Sequence, residues 1–468
     1  MSQRLRSTAS QKGFVCRQAL VIGLVGWIAD AGLCTPSNLC LVLGMDAIWE
    51  AMWYWCRFLT REFPVSALRM FFMMHVILVQ IGLVTIYVFA QKPTALARLY
   101  LDFSVRPSLQ VVLFPSAFML LLLAGVATIA GSRVAAPTSP PTPAGMINRR
   151  RAIQVFSIAF VWGAIAFYRV GFPVLSSLGG GSSAEDTRLA YHYGERSSLL
   201  FNSSIVAQTY VAIIPFAVFA LWRSSRDRSL RRMVAYAMAA GLLFLVANSL
   251  ERTTPAILAV WFALAGIAVG KRPGKGVLLG GPAAFLAVTL ILHGSGASFI
   301  RLIELQVLRR VFVVNAMVNY FALEHFGVDV PFQNGSTYSG YMGAVAQGGG
   351  GFAHELMTII YPDRIIGTAP LGLIAEAWVN FGYLSLLAAP LVGVVMLTID
   401  RSLLRRSGST MGAVLWAGVA TLIGTMSYGA PLAVMFSGGL LFLLATYVSC
   451  DRRPSLAAVR RRPFITVS

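Results

Sequence analysis

VVLFPSAFMLLLLAGVATIAGSR, Val111–Arg133, carries no charged side chain until its final arginine. As a helix rising 1.5 Å per residue, such a run is about 30 Å long, which is the thickness of a bilayer's hydrocarbon core. Runs of this kind recur outward in both directions, near 15–33, 38–56, 68–90, 110–131, 152–168, 203–222, 233–250, 254–270, 277–293, 370–399, 410–428 and 431–449. The composition agrees: 57% of the 468 residues are hydrophobic and 12% are charged, against roughly a quarter charged in an ordinary soluble protein. The sequence thus predicts an all-α polytopic membrane protein with about twelve transmembrane helices.

The formal net charge of +20 raises the question of a nucleic-acid partner. Sorted by the side on which the twelve spans place them, 27 of the 38 Lys and Arg residues fall on one side. They include Arg4, Arg6, Lys12, Arg57, Arg61, Arg69, Arg149–Arg151, Arg223–Arg232, Lys271, Lys275, Arg401, Arg405, Arg406 and the basic tail. Short loops enriched in Lys and Arg mark the cytoplasmic side, so both termini are predicted to lie inside. The excess charge then reports orientation and carries no argument for nucleic acid. The basic start leads directly into further spans without a small-residue cleavage site, so the first span reads as the insertion signal. Cys34 and Cys40 flank the outer end of the first hairpin, where a disulfide and two inert thiols both fit the spacing.

The Pro-rich segment APTSPPTPAG within 134–148 is predicted to be an unordered cytoplasmic linker. It divides a four-span unit, 1–133, from an eight-span unit, 149–468. The basic runs RDRSLRR (Arg226–Arg232) and DRSLLRR (Asp400–Arg406) echo one another, and read as cytoplasmic charge clusters because neither has a glycine before its aspartate. Two predicted extracytoplasmic loops, near 169–202 and 293–369, are far longer than the rest, and long loops in compact proteins are commonly functional. Four of the five histidines, His192, His293, His325 and His354, fall in them. Phe299–Phe326 is expected to be an amphipathic helix on the outer leaflet.

Arg188, Arg196, Arg252, Arg301, Arg309, Arg310 and Arg364 lie outside, against the charge rule. Guanidinium groups grip phosphate oxygens with two parallel donors. In SLERTTP, Thr254 and Pro255 have the chemistry of a helix start, which places Arg252 where free backbone N–H groups already favour an anion; a local pair with Glu251 is the competing reading. Arg309 and Arg310 precede VFVVNAMVNYF, in which Tyr320 and Phe321 are candidates for stacking on sugar faces; a lipid-phosphate-binding interfacial helix fits equally well. A carboxylate near the end of an apolar span is costly and so functionally suggestive. Gly372, Glu376 and Asn380 recur every four residues and share one helical face; a hydrogen bond between Glu376 and Asn380 or a neighbouring helix is the structural alternative.

His354-Glu355 lacks the HExxH pattern of a zinc site, and the sequence holds no P-loop, GxSxG elbow or dinucleotide fingerprint. GTAPLGLIAEAWVNFG, Gly367–Gly382, resembles the signature of bacterial O-antigen and exopolysaccharide repeat-unit polymerases, a Pro-x-Gly…Glu…Asn-Phe-Gly pattern leading from the large outer loop into the next span. SLERTTPAIL and LRRVFVVNAMVNYF resemble that family's Arg-bearing turn and Arg-rich loop segment, so the likeness covers about 249–382. His354–Gly372 departs from the tighter histidine pattern of the related O-antigen ligases, which weakens the case for a histidine base.

The resemblance implies a metal- and cofactor-independent membrane glycosyltransferase on the outer face of the bacterial inner membrane. Its substrate would be an undecaprenyl-pyrophosphate-linked oligosaccharide, and a chain-length regulator and export complex its partners. Glu376 is then the first candidate for the base and His354 the second. Arg252, Arg309, Arg310, Arg188, Arg196, Tyr320 and Asn380 become candidates for holding pyrophosphate and glycan. The competing classes are a glycan ligase, a twelve-span transporter, which would place polar groups at mid-membrane depth, and a non-enzymatic scaffold.

Overall fold

The computed structural model describes residues 18–63, 65–99, 101, 103–130, 146–147, 150–151, 153–155, 157–158, 161, 165, 253–268, 309, 313–339, 351–360, 371–404, 410–435 and 439–452. Among these residues the regular structure is helical apart from a two-residue antiparallel ladder, Met146–Ile147 with Asp451–Arg452, and a parallel bridge between Phe326 and Val330. Ala67–Ala90, Leu109–Ala130 and Leu373–Leu404 are long and apolar enough to cross a membrane, and Gln18–Asp30 and Gly412–Thr425 are shorter apolar helices. This is the architecture of an all-α membrane protein. The spans expected near 203–222, 233–250 and 277–293, and the outer loop near 169–202, lie outside the described residues.

Helix boundaries follow from local chemistry. The helix Pro36–Leu59 starts where Thr35 accepts a hydrogen bond from the Asn38 N–H and Pro36 presets the first turn. The helix at Ala67 starts on Ser66, whose hydroxyl accepts from the Arg69 N–H. Its other free N–H groups are met from a distant part of the chain. The fully buried Asp400 carboxylate accepts from Ser66 Oγ (2.6 Å), the Ala67 N–H (2.7 Å) and Trp416 Nε1 (3.3 Å). The acid of the DRSLLRR run therefore works as a helix cap, and the run is not merely a solvated charge cluster. Asp400→Ala strands these donors at about 1–3 kcal/mol each. It should lower the thermal stability of purified protein in detergent sharply, with Asp400→Asn intermediate; unchanged melting of the Ala variant would deny the cap its role.

Helices Leu109–Ala130 and Ser385–Leu404 approach at backbone distance. A Cβ on Gly125 would collide with the Pro390 backbone, and one on Gly393 with the Leu122 carbonyl, the small-residue contact that lets apolar helices pack without a hydrophobic driving force. On the opposite side, Leu387, Leu391 and Val395, spaced by four, are exposed, Leu387 by 78%. This is an apolar face suited to lipid.

The bundle has two ends. At one, Ser66 meets Asp400, and Arg401 donates to the Ile129 carbonyl at the close of helix 109–130. At the other, Arg98 pairs with Asp30, the Arg106 N–H donates to Glu324, and Gly372 meets Asn319.

Asn315–His325 departs from expectation. It does not lie on a surface: nine of its eleven residues are buried, packed against helices 67–90, 109–130 and 373–381. Its polar side chains bond inward, and Tyr320 OH donates to the Arg106 carbonyl (2.7 Å). Helix 67–90 widens into a π turn at Val76–Gln80, where Gln80 accepts from Trp49 Nε1 and Ser116 Oγ and ties three helices together.

Candidate functional site

The short helix Leu373–Phe381 is the centre of the site. Gly372 stands at its N-cap, where the Gly372 N–H donates to Asn319 Oδ1 (3.1 Å) and the Leu373 N–H to the Met426 carbonyl (2.8 Å). A Cβ at Gly372 would collide with the Ser427 carbonyl, so only glycine lets the 426–428 turn lie this close. Glu376 follows in the first turn and Asn380 in the last. Both are buried, Glu376 at 5% exposure.

Residues 331–339 fold across the far end of this helix. The Gln333 and Asn334 N–H groups donate to the carbonyls of Val379 and Asn380 (2.9 and 3.0 Å). The Gly335 N–H donates to Asn380 Oδ1 (2.9 Å). Asn334 and Gly335 both adopt positive φ, which turns the chain back on itself. Thr337 is thereby placed against both polar side chains: it accepts from Asn380 Nδ2 (2.7 Å) and donates to Glu376 Oε1 (3.3 Å). Among the described residues Glu376 Oε2 has no hydrogen-bond partner. Tyr338, half-buried beside them, has its phenol pushed up to about 12, first by burial and then by the Glu376 carboxylate.

Aromatic packing stiffens the frame. Trp378 meets Phe114, Phe332 and Tyr383 edge to face, and its Nε1 donates to the Phe326 carbonyl (3.2 Å).

The structure brings Glu376 and Asn380 together on one face, as their spacing predicts. Tyr320 is instead fully buried and its hydroxyl engaged by Arg106 and Ser108. Phe321 is likewise buried, against Phe103 and His325. Neither offers a face to a sugar, because the helix that carries them is internal. Arg309 donates through Nε to the Leu99 carbonyl (3.0 Å), just beyond the end of helix 67–90. His354 lies in the helix Gly351–Ile360, with its side chain outside the described residues, as are Arg188, Arg196, Arg252 and Arg310 altogether. Cys34 and Cys40 are exposed free thiols.

Sequence reasoning missed Thr337 and the His325 cluster. His325 Nδ1 lies 2.8 Å from Asp329 Oδ2, which also pairs with Arg106 (3.0 Å). Glu324, whose carboxyl is raised chiefly by burial, caps the Arg106 N–H (2.7 Å). The i, i+4 spacing of His325 and Asp329 was available as a signal; no local pattern marks Thr337, because its partners come from 39 and 43 residues away.

No protein-family model, curated protein or solved structure matches the chain.

Proposed function

We propose that this chain is a polysaccharide repeat-unit polymerase of the bacterial inner membrane, acting on its extracytoplasmic face. The observation that carries the reading is Glu376. It is a buried carboxylate in the first turn of a candidate span, with one oxygen held by the outer-loop residue Thr337 and the other without a partner among the described residues. Within the motif that carries the family resemblance, the described part, Leu371–Gly382, supplies the helix on which Glu376 and Asn380 stand.

In the proposed reaction, a hydroxyl at the non-reducing end of a lipid-linked repeat unit attacks the anomeric carbon of the growing glycan. Its proton passes to Glu376, the new C–O bond forms, and the bond to pyrophosphate breaks with its electron pair leaving on undecaprenyl pyrophosphate. General-base assistance of this kind contributes about 10²- to 10⁴-fold. Outer arginines would meet the charge that develops on the leaving group. A deletion strain should accumulate single lipid-linked repeat units; full-length unattached chains would point to a ligase instead.

The proposal includes twelve spans with both termini inside. Reporter fusions after Leu200 and Gly340 should then be extracytoplasmic, and those after Arg151, Lys275 and Arg405 cytoplasmic. A cytoplasmic signal from the Gly340 fusion would place Thr337 on the wrong side and remove the site.

One observation favours transport as a second reading. His75 is buried midway along helix 67–90, stacked on Phe71 and lying against the Ser427 backbone, with neither ring nitrogen in hydrogen-bonding geometry among the described residues. Polar groups at such depth are common on transport paths. Normal lipid-linked repeat-unit consumption by purified protein in detergent, where there is no second compartment, would exclude it.

A further inference from the structure

The hydrogen bonds around Glu376 have a direction, and that direction selects one of its two oxygens. The order is set at Gly335. Its backbone N–H can only donate, so the Asn380 atom that it meets at 2.9 Å must be the amide oxygen. The Asn380 NH₂ group then faces the other way, and it donates both to the Glu376 carbonyl (2.8 Å) and to Thr337 Oγ1 (2.7 Å). A hydroxyl has a single proton. With its oxygen already accepting from Asn380, Thr337 directs that proton to Glu376 Oε1 (3.3 Å). Oε1 is therefore fixed as an acceptor. Any proton that Glu376 gains or gives up sits on Oε2, the oxygen without a partner among the described residues.

From this geometry we infer that Thr337 is a positioning residue for the carboxylate, and that Glu376 Oε2 is the atom that exchanges protons with the acceptor hydroxyl. The inference rests on the polymerase reading for what the proton belongs to, but the relay itself does not. Its origin in residues 333–337 gives the outer loop a role beyond covering the site. When the turn at Asn334–Gly335 docks on the end of helix 373–381, it sets the Asn380 amide, and through Thr337 the amide sets the orientation of the carboxyl group. The four residues involved are at least half-buried or buried, so solvent does not compete strongly for the bonds.

The test compares Thr337→Val and Thr337→Ala, which remove the hydroxyl with and without filling its space, and Thr337→Ser, which keeps it. Two readouts are needed. The first is infrared difference spectroscopy of purified full-length protein, with the Glu376 carboxyl bands assigned by comparison with Glu376→Gln. The second is polymerisation of a lipid-linked repeat unit, resolved into kcat and KM. The bands should move in the Val and Ala variants and return in Ser. Activity should fall by about 10- to 100-fold in kcat with KM little changed, the loss expected for one hydrogen bond to a charged group, and Ser should restore it to within a few-fold. Unmoved carboxyl bands in both Val and Ala would overturn the relay. Moved bands with full activity would overturn the positioning role. A wild-type protein inert toward lipid-linked repeat units, with the band shift present, would sink the polymerase reading and leave the relay standing.

Discussion

Glu376→Gln should fold and insert normally yet lose polymer formation by about 10²- to 10⁴-fold, the range that a positioned general base contributes. The substitution is close to isosteric. The glutamine oxygen can still accept from Thr337 where Glu376 Oε1 does at 3.3 Å, and the amide nitrogen takes the place of Oε2. What is lost is the ability to take up a proton. Because a neutral amide is cheaper to bury than a carboxylate, thermal stability in detergent should be equal to wild type or higher. The measurement is chain length on gels of extracted glycan at matched protein level, together with melting of the purified variant. Wild-type chain lengths would reduce Glu376 to a structural hydrogen bonder on the Asn380 face, and a collapse in melting temperature would attribute any loss of polymer to folding.

How far this site was legible in the sequence depends on the range of the interactions. The i, i+4 recurrence of Glu376 and Asn380 is a property of any helix, and the structure keeps it, with Asn380 Nδ2 donating to the Glu376 carbonyl at 2.8 Å. Long apolar helices are legible for the same reason: over the expected 68–90 and 110–131 the chain forms Ala67–Ala90 and Leu109–Ala130, each long and apolar enough to cross a membrane, because long apolar runs need no partner to declare themselves. The helix Gly351–Ile360 was hidden behind its glycine run. Phe352, Leu356 and Ile360 nevertheless recur at helical spacing, and Leu356 and Ile360 are buried.

Burial was harder to read than helix. Asn315–His325 carries Asn315, Asn319, Glu324 and His325 and so reads as an interfacial helix, but Asn319 donates to the Asn315 backbone carbonyl and accepts from the Gly372 N–H, Glu324 Oε1 accepts from the Arg106 N–H, and His325 Nδ1 meets Asp329. Tertiary partners from 103–108 and 372 convert a polar helix into an internal one. Asp400 is the same case: in sequence it heads a basic run, and only the approach of Ser66 and Ala67 from more than 300 residues away makes it a cap. Local pattern gives no access to such pairings without knowledge of which helices are neighbours.

The arginines carry the remaining large effect. If Arg252, Arg309 and Arg310 hold the departing pyrophosphate, replacing Arg252 or Arg310 by Ala should cost about 10²- to 10³-fold in kcat, the loss seen when one preorganised donor to a developing anion is removed. Lys should recover only part of it, since an ammonium cannot make the planar two-pronged contact. Arg309 is predicted to behave differently, because its Nε is committed to the Leu99 carbonyl. Its Ala variant strands a carbonyl at about 1–3 kcal/mol and should lower melting as well as activity. The assay is polymerisation of a lipid-linked repeat unit by purified protein, with and without a chelator, alongside melting in the same detergent. Acids in the outer loops stand mostly beside arginines, as with Asp186 and Arg188 or Asp363 and Arg364, a poor arrangement for a hard cation that needs several oxygens at once. Activity should therefore survive chelation. Full activity in all the Ala and Lys variants would remove the clamp, and loss of wild-type activity on chelation would assign its task to a metal ion.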